Sequence, residues 1–360
     1  MQERVKILVV GLGTMGCSHA KAYHALDGFE IVGLCSRHAT TMTDLPLELA
    51  DYPRYDEYYE ALEAVKPDAV SINTYPDSHA EYACSAFEAG AHVFLEKPMA
   101  PTVEKSQQVV DAAIKANRKL VVGYILRHHP SWEKFVELAQ GLGKPLVMRM
   151  NLNQQSSGSE WGVHKQLMQS MSPIVDCGVH YVDIMCLMSG AKPVKVNAMG
   201  VRLTDEVAPD MYNYGQLQVY FDDGSVGWYE AGWGPMMSET AFFVKDVVGP
   251  EGCVSIVAAE QAGQGPGSST VEGHTQASRL RLHHSKTNED GTFAREDELI
   301  QMEDEPDHDD LCFREQVYFL KAIQEDIDLT EHMRDAVNSL RIVLAADKSV
   351  RTGQPVSLQE

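Results

Sequence analysis

The chain is predicted to be α/β: a doubly wound parallel sheet at the amino end, then an α+β domain with a large, mostly antiparallel open sheet. Two observations carry that expectation. Over roughly the first 125 residues short apolar runs alternate with helical patterns, the rhythm of βαβ units. After Arg127 the runs lengthen, acquire period-two character and follow one another through turns such as Asp222-Asp223-Gly224, which indicates antiparallel pairing. A chain of 360 residues is also too long for one ordinary core and suits two domains, placed at 1–126 and 127–360.

The first five strands are expected at Lys6–Val10, Glu30–Cys35, Ala69–Asn73, His92–Leu95 and Lys119–Gly123, short apolar runs suited to burial on both faces. Between them Ser18–Leu26, Ser78–Ala89 and Val103–Ala116 are long enough for helices, and Asp77 or Ser78 is the natural N-cap of the second. Beyond Arg127 a helix is expected over Pro130–Gln140. Strands follow at Leu146–Leu152, Val194–Ala198, Tyr214–Phe221, Ser225–Glu230 and Ala241–Val248. Ser172-Pro173 is a helix start, with Ser172 as N-cap and Pro173 in the first turn, and Gly190 is the stop. The Gly-, Ser- and Gln-rich stretch Gln261–Ser278 reads as a mobile surface loop. Two helices, near Asp309–Gln324 and Glu331–Val350, close the chain, which has no internal repeat.

Charge excludes some partners. Lys and Arg number 30 against 52 Asp and Glu, a formal charge of −22, so nucleic acid and anionic membranes are repelled. The seven cysteines, at 17, 35, 84, 177, 186, 253 and 312, are odd in number and lack a CxxC pair, which fits a reducing cytoplasm. The apolar run Val5–Val10 passes into glycines instead of a cleavage site, so it reads as a buried strand, not a leader. No apolar stretch reaches the roughly 18 residues of a membrane span.

Gly11-Leu12-Gly13-Thr14-Met15-Gly16 follows a strand and opens a helix. In that context Gly11 makes the tight turn, Gly13 admits a pyrophosphate close to the backbone, and Gly16 lets helix pack on strand. The phosphates would then sit at the positive helix end that Thr14 and Met15 begin. This predicts a bound dinucleotide cofactor. Twenty residues beyond Gly16, where an NAD enzyme usually carries a carboxylate, stand Ser36, Arg37 and His38. Ser36 can bond and Arg37 can pair with a 2′-phosphate, which favours NADP; alternatively Arg37 is a solvated residue at a strand end and NAD is used.

Two further segments bear chemistry. His92–Leu95 runs into Glu96-Lys97-Pro98, so Lys97 stands at the carboxyl end of a central strand, where its ammonium can stabilise the alkoxide-like charge that develops as hydride leaves a hydroxyl. By itself such a lysine is as well explained as an exposed one. Asp176, His180 and Asp183 are spaced four and three apart and so share a helix face, and Gly178 leaves room for a close neighbour. His180 titrates near neutral pH and suits a general base, with Asp176 or Asp183 to orient its ring; a buried histidine satisfied by carboxylates is the bland reading. The acidic residues 303–310, with His308 among them, fit a solvated helix start, and no metal is assigned.

The fingerprint, Glu96-Lys97-Pro98 and Asp176-Cys177-Gly178-Val179-His180-Tyr181-Val182-Asp183 together resemble the Gfo/Idh/MocA family of nicotinamide-dependent sugar and cyclitol oxidoreductases, over nearly the whole chain. The resemblance implies a Rossmann domain and an oligomerising substrate domain. It implies that Lys97 and Asp176 bind the substrate hydroxyls and that His180 takes the proton. Asn73-Thr74-Tyr75-Pro76-Asp77-Ser78-His79 resembles the family loop whose Asn, Pro and distal His line the nicotinamide ribose, so Asn73, Thr74, Pro76, His79 and Glu96 join the expected cofactor contacts. Gly123-Tyr124 through Arg127 and Pro130 resembles a further family segment, with His128 in place of the usual aromatic residue; Arg127 is an expected substrate contact.

Trp161, His164 and Lys165, read as a loop before the catalytic helix, are candidate contacts to a hydroxylated ring, Trp161 foremost. His19 matches a frequent histidine after the glycines and receives no role. The expected enzyme oxidises a secondary hydroxyl of a sugar, sugar derivative or cyclitol with NADP or NAD, as a homodimer or homotetramer. The alternatives are NAD-dependent redox-assisted glycoside cleavage, or a non-catalytic cofactor-sensing protein.

Overall fold

Strands β1 (Val5–Val10), β2 (Phe29–Cys35), β3 (Arg54–Tyr55), β4 (Ala69–Ile72), β5 (His92–Leu95) and β6 (Leu120–Val122) pair throughout in parallel, in the order β3-β2-β1-β4-β5-β6. The computed structural model describes residues 3–238, 244–257, 273, 275 and 277–359, so most of the stretch 261–278 expected as a loop lies outside the described residues. The strand order turns back between β1 and β4, which makes their carboxyl ends the place where a parallel sheet of this kind opens a crevice. Ile7, Leu8, Val9, Val70, Ile72, Val93, Phe94, Leu95 and Val121 are all fully buried. These strands are therefore continuous apolar runs, not alternating ones, because helices cover both faces of the sheet. The helices are α1 (Thr14–Ala25), α2 (Tyr58–Val65), α3 (Pro76–Glu88) and α4 (Val103–Ala116).

Two departures here have local causes. The two-residue β3 and the eight-residue α2 are too short for periodicity to announce. Helix α3 begins at Pro76 with Tyr75 as its cap, so neither Asp77 nor Ser78 is the N-cap; the Ser78 hydroxyl instead bonds Thr74 Oγ1 at 2.7 Å and the Tyr75 carbonyl at 3.0 Å.

Backbone contacts divide the chain into Met1–Ile125 with His308–Val337, and Leu126–Asp307 with Asn338–Glu360. The expectation that 127–360 forms one continuous domain misses the return of 308–337 to the first unit. That return is driven by α9 (His308–Gln324), whose Leu311, Cys312, Gln316, Phe319 and Ala322 are buried. Phe319 stacks on Phe29 with ring centroids 6.1 Å apart, and Gln316 Oε1 accepts from the Tyr23 hydroxyl at 2.6 Å. Without α9 the apolar face of α1 and β2 would be left in water.

In the second unit β7 (Val147–Gln155), β8 (Pro193–Val201), β9 (Tyr214–Phe221), β10 (Val226–Gly234), β11 (Lys245–Gly249), β12 (Gly252–Ile256), β13 (Arg279–His284), β14 (Glu298–Gln301) and β15 (Val356–Ser357) form one sheet in the order β14-β13-β12-β11-β7-β10-β9-β8-β15. Every pair is antiparallel except β7 with β10. That parallel pair places Gln154 and Trp233 opposite each other near the two carboxyl ends. Of the strand expected at Ala241–Val248, residues 241–243 lie outside the described residues. The unit's helices include α5 (Pro130–Gln140), α6 (Gly158–Leu167), α7 (Pro173–Asp176) and α8 (Gly178–Ser189); α10 (Thr330–Thr352) closes the helical part of the chain. No described helix is long and apolar enough to cross a membrane.

The glycine turn is where backbone dictates sequence most sharply. Gly11 has φ +89°, and a Cβ on Gly16 would lie 1.7 Å from the Gly11 carbonyl oxygen, whereas one on Gly13 would meet nothing within 4 Å. Gly16→Ala is therefore expected to cost about 3 kcal/mol or more of unfolding free energy, and Gly13→Ala at most about 1. Urea denaturation of the two variants checks this: equal losses would contradict the packing described.

Candidate active site

In the first unit the site begins at the carboxyl ends of β1, β4 and β5. β1 runs into Gly11, and the N-terminus of α1 follows with Gly13 as its cap and no acidic residue in its first turn. The unbonded amides of that turn and the open space over Gly13 make an anion cradle, with Thr14 and Met15 at its start. At the end of β2, Ser36 is half-buried and Arg37 and His38 are exposed. The nearest carboxylate of the adjacent strand end, Asp56, is occupied by the Thr40 amide at 2.9 Å and hydroxyl at 2.6 Å, and those bonds hold its pKa below the usual range.

Asn73 continues β4, its amide donating to the Val10 carbonyl at 2.7 Å and its side-chain amide to Ser71 Oγ at 3.1 Å. Pro76 is the first residue of α3. His79 is fully buried, with Nδ1 2.9 Å from the Pro98 carbonyl oxygen and Nε2 2.9 Å from that of Thr74. Burial pulls its pKa down against the two carbonyls. His79 thus lies between the loop after β4 and the loop after β5, its protonated ring nitrogen donating to one of these two backbone carbonyls.

Lys97 follows β5 directly, is half-buried, and precedes a cis peptide to Pro98. Beneath it Glu96 is 5% exposed, its Oε1 accepting from His19 Nε2 at 2.7 Å and its Oε2 from the Lys97 amide at 3.0 Å. Burial pushes the Glu96 carboxyl up, but the hydrogen bond from His19, with the charge and amide of Lys97, outweighs burial and leaves it below its ordinary value. Glu96 is thus an inward anchor for the Lys97 backbone. His19, given no role from sequence, is the other half of that anchor; the signal for it was the i+3 spacing from Gly16 on the helix that opens at the glycines.

In the second unit Ser172 caps the helix start as expected, accepting from the Val175 amide at 3.3 Å, with Pro173 in the first turn and Gly190 at φ +61° as the stop. The expected single helix is broken at Cys177 into α7 and α8. Asp176 ends α7 and His180 lies in the first turn of α8; both are half-buried. The room at Gly178 is used by a side chain of the same unit: a Cβ there would come within 3.0 Å of the Tyr229 ring.

Asp183 is fully buried and receives Arg127 Nε at 2.6 Å and Nη2 at 2.8 Å, a bidentate pair. Arg127 thus braces α8 through Asp183, a pairing that sequence reading did not anticipate. His128 beside it has its pKa lowered to about 4 by burial and by the Arg127 charge.

Trp161, His164 and Lys165 lie in α6, not in a loop. Trp161 is 6% exposed and its indole N–H donates to Glu206 Oε1 at 3.3 Å, while Lys165 bonds Glu206 Oε2 at 2.6 Å. His164 stacks on Trp233 with centroids 4.5 Å apart at 6°, and its Nδ1 is 2.8 Å from Ser156 Oγ. Gln154 Oε1 accepts from Trp233 Nε1 at 2.7 Å and from Cys177 Sγ at 3.4 Å, so the end of β7 buttresses the break between Asp176 and His180. Gln154 and Trp233 were not picked out from sequence; only the parallel pairing of β7 and β10, which no local pattern reveals, brings them together. Lys245, fully buried near the Tyr181 ring, has its pKa lowered to about 7 by desolvation.

Truncating one member of the buried Arg127–Asp183 pair leaves the other charge uncompensated, at a cost of about 3–5 kcal/mol. Arg127→Met and Asp183→Asn are each expected to lose about that much, and the double variant less than the sum, by chemical denaturation. Additive losses would contradict the pairing.

Residues 5–124 match the family model described as "Oxidoreductase family, NAD-binding Rossmann fold", and residues 138–252 match the "GFO/IDH/MocA C-terminal domain". Among curated proteins the chain is 29% identical to the D-glucoside 3-dehydrogenase of Escherichia coli over 54% of this chain and 57% of that one. It is 27% identical to the scyllo-inositol 2-dehydrogenase (NAD(+)) of Bacillus subtilis over 71% of this chain and 75% of that one. It is 37% identical to the glycosyl hydrolase family 109 protein 2 of Akkermansia muciniphila, over only 32% of this chain and 26% of that one. The matched length is thus under two thirds of the first and third of these relatives. Among solved structures, an oxidoreductase from Agrobacterium radiobacter with NAD+, L-tartaric acid and magnesium superposes with a TM-score of 0.78 at 15% identity, over 99% of this chain and 98% of that one. An apo scyllo-inositol dehydrogenase from Lactobacillus casei gives 0.76 at 20% identity over 99% and 98%. At such identities these structures speak for the fold alone.

Proposed function

Since the chain belongs to the Gfo/Idh/MocA family of oxidoreductases, whose amino-terminal domain is an NAD-binding Rossmann fold, we propose that it transfers hydride between a secondary hydroxyl of a sugar, sugar derivative or cyclitol and the nicotinamide ring. The observation that carries the reading is in the first unit. Lys97 stands at the carboxyl end of β5, in the same parallel sheet whose β1 runs into the Gly11–Gly16 turn, and Glu96 and His19 fix its backbone. The glycine turn and the open N-terminus of α1 fit a dinucleotide pyrophosphate, because bare amides and unobstructed space are what that group requires.

When bound, the cofactor supplies the hydride acceptor; the protein's residues do the rest. The Lys97 ammonium binds the reacting hydroxyl and stabilises its developing negative charge. His180 Nε2 removes the hydroxyl proton, and the Asp176 carboxylate accepts hydrogen bonds from the substrate's hydroxyls. Arg127 and Asp183 hold the helix that carries His180. NADP is favoured over NAD, because Ser36 and Arg37 stand where a carboxylate would repel a 2′-phosphate and Asp56 is occupied by Thr40. The curated relatives are named for dehydrogenation of glucosides and inositols, which sets the substrate class. A cytoplasmic location belongs to the same proposal, supported by seven cysteines that form no disulfide. Association of copies through the face of the second sheet that exposes Val147, Met199, Val201 and Val248 belongs to the same reading.

Redox-assisted glycoside cleavage is the second reading, favoured by the partial match to a glycosyl hydrolase family 109 protein. Absorbance at about 340 nm, followed with NAD and NADP separately against sugars, sugar acids, glycosides and inositols, distinguishes the two. Net cofactor reduction with one class supports the dehydrogenase; product release from a glycoside without net reduction supports cleavage. For the reactive compound, Lys97→Ala and His180→Ala are each expected to lower kcat by about 10²- to 10⁴-fold with cofactor affinity nearly kept. Unchanged turnover in either variant would remove that residue from the mechanism.

A further inference from the structure

One cluster in the first unit joins His19 and Met15 to residues of α9 that have no part in the chemistry above. Helix α1 presents Met15, His19 and Tyr23 at successive i+4 positions, and α9 presents His308, Cys312, Glu315 and Gln316; the two faces pack together within the unit. Tyr23 donates to Gln316 Oε1, which turns the Gln316 amide nitrogen toward His19 Nδ1 at 2.9 Å. His19 therefore carries its proton on Nε2 and donates it to Glu96. Beside this chain Glu315 is fully buried, and neither of its carboxyl oxygens has a hydrogen-bond partner. One donor atom from each of His19, Cys312 and Glu315 lies within 4.8 Å of the other two, and all three residues are buried.

A carboxyl group sealed from water without a single hydrogen bond needs either a proton or a cation to neutralise it. We propose that His19, Cys312 and Glu315 form a binding site for a borderline-soft divalent cation of the zinc type. The donor set argues for this class. One imidazole nitrogen, one thiolate and one carboxylate oxygen are the ligands that such an ion takes, and the hard oxygen speaks against a monovalent soft metal. Two anionic ligands and a neutral imidazole cancel the ion's two positive charges, so the interior is left neutral. The spread of 4.8 Å closes to the roughly 3.3–4 Å expected between ligands at 2.0–2.3 Å from an ion with side-chain movements alone, once the Gln316 amide swings off His19 Nδ1.

The surroundings are those of a metal ligand. The far nitrogen of His19 donates to the Glu96 carboxylate, the outer contact that fixes the tautomer and raises the basicity of a ligating histidine. Two half-buried donors adjoin the site: His308 Nε2 lies 3.1 Å from Met15 Sδ and 3.7 Å from Cys312 Sγ. Binding displaces the Cys312 thiol proton and the Glu315 carboxyl proton to solvent, with no change of oxidation state, and a water completes the coordination. The ion would pin α9 to α1 directly under the glycine turn. The site shares His19 with the support of Lys97, but it does not require the proposed hydride chemistry.

The test uses the full-length, untagged protein, stripped with chelator and titrated with Co2+ and Zn2+ separately. About one equivalent of Co2+ is expected to produce a thiolate-to-cobalt charge-transfer band, which Zn2+ abolishes by competition. Cys312→Ser should lose the band, and Glu315→Gln should weaken binding by at least about ten-fold while circular dichroism stays unchanged. Because Glu315→Gln is nearly isosteric, it remains informative if Cys312→Ser fails to fold. Absence of the band in the wild type, its survival in Cys312→Ser, or an infrared band of a protonated Glu315 carboxyl that Zn2+ does not remove would each overturn the proposal.

Discussion

A carboxylate buried at the end of a parallel strand is the constraint around which the first unit is organised. Glu96 is nearly inaccessible to water, so its two oxygens must find donors inside the protein, and they find His19 from α1 and the Lys97 amide. That requirement couples two features that lie far apart in sequence. The helix opening at the glycine turn is drawn onto the strand end that carries Lys97, so the dinucleotide cradle and the lysine are fixed relative to one another. Gly123 belongs to the same arrangement, since a Cβ there would press to 3.3 Å from Glu96 Oε1 and from the Phe94 ring. The return of α9 finishes it: Gln316 bonds the remaining nitrogen of His19 and is itself fixed by Tyr23.

The second unit solves the same problem with different partners. Asp183, fully buried in α8, is held by the bidentate fork of Arg127, and Asp347 of α10 accepts from the Ser172 hydroxyl that caps α7, with Tyr212 as a further donor. Buried charges of this kind add little net stability, but each is costly to leave unpaired, so each dictates where its helix must lie. The break at Cys177 falls between these two anchored points, and Gln154 meets the Cys177 thiol there. Asp176 and His180 thus flank the junction of α7 and α8, whose two sides are separately pinned.

Much of this was legible in the sequence because the relevant signals are local. The buried strands β1, β2, β4, β5 and β6 announce themselves as apolar runs, α4 and α5 fall where the helical pattern indicates, and the glycine turn carries its own backbone logic. What escaped depends on chain segments meeting across long separations. His19 and Glu96 are 77 residues apart, Gln154 and Trp233 meet only through the parallel pairing of β7 with β10, and the return of 308–337 to the first unit leaves no mark in its own amphipathic pattern. The internal partners of Arg127, His79 and Glu96 were likewise not legible: sequence reading aimed their polar groups at a ligand, and the fold gives each a bond within the protein, because a buried polar group must be satisfied. Trp161 and Lys165 were placed in a loop because α6 is weakly amphipathic and begins at a glycine.

The most direct measurement follows the hydride itself. The protein, loaded with NAD or NADP in near-equimolar amount, would be incubated with polyols and glycosides carrying deuterium on their carbinol carbons, and the nicotinamide ring recovered for mass spectrometry. The account predicts one deuterium on the ring with at least one compound, whether or not net reduction accumulates, and none with Lys97→Ala or His180→Ala. Bound cofactor that never acquires the label from any of them would contradict hydride transfer as the activity of this fold.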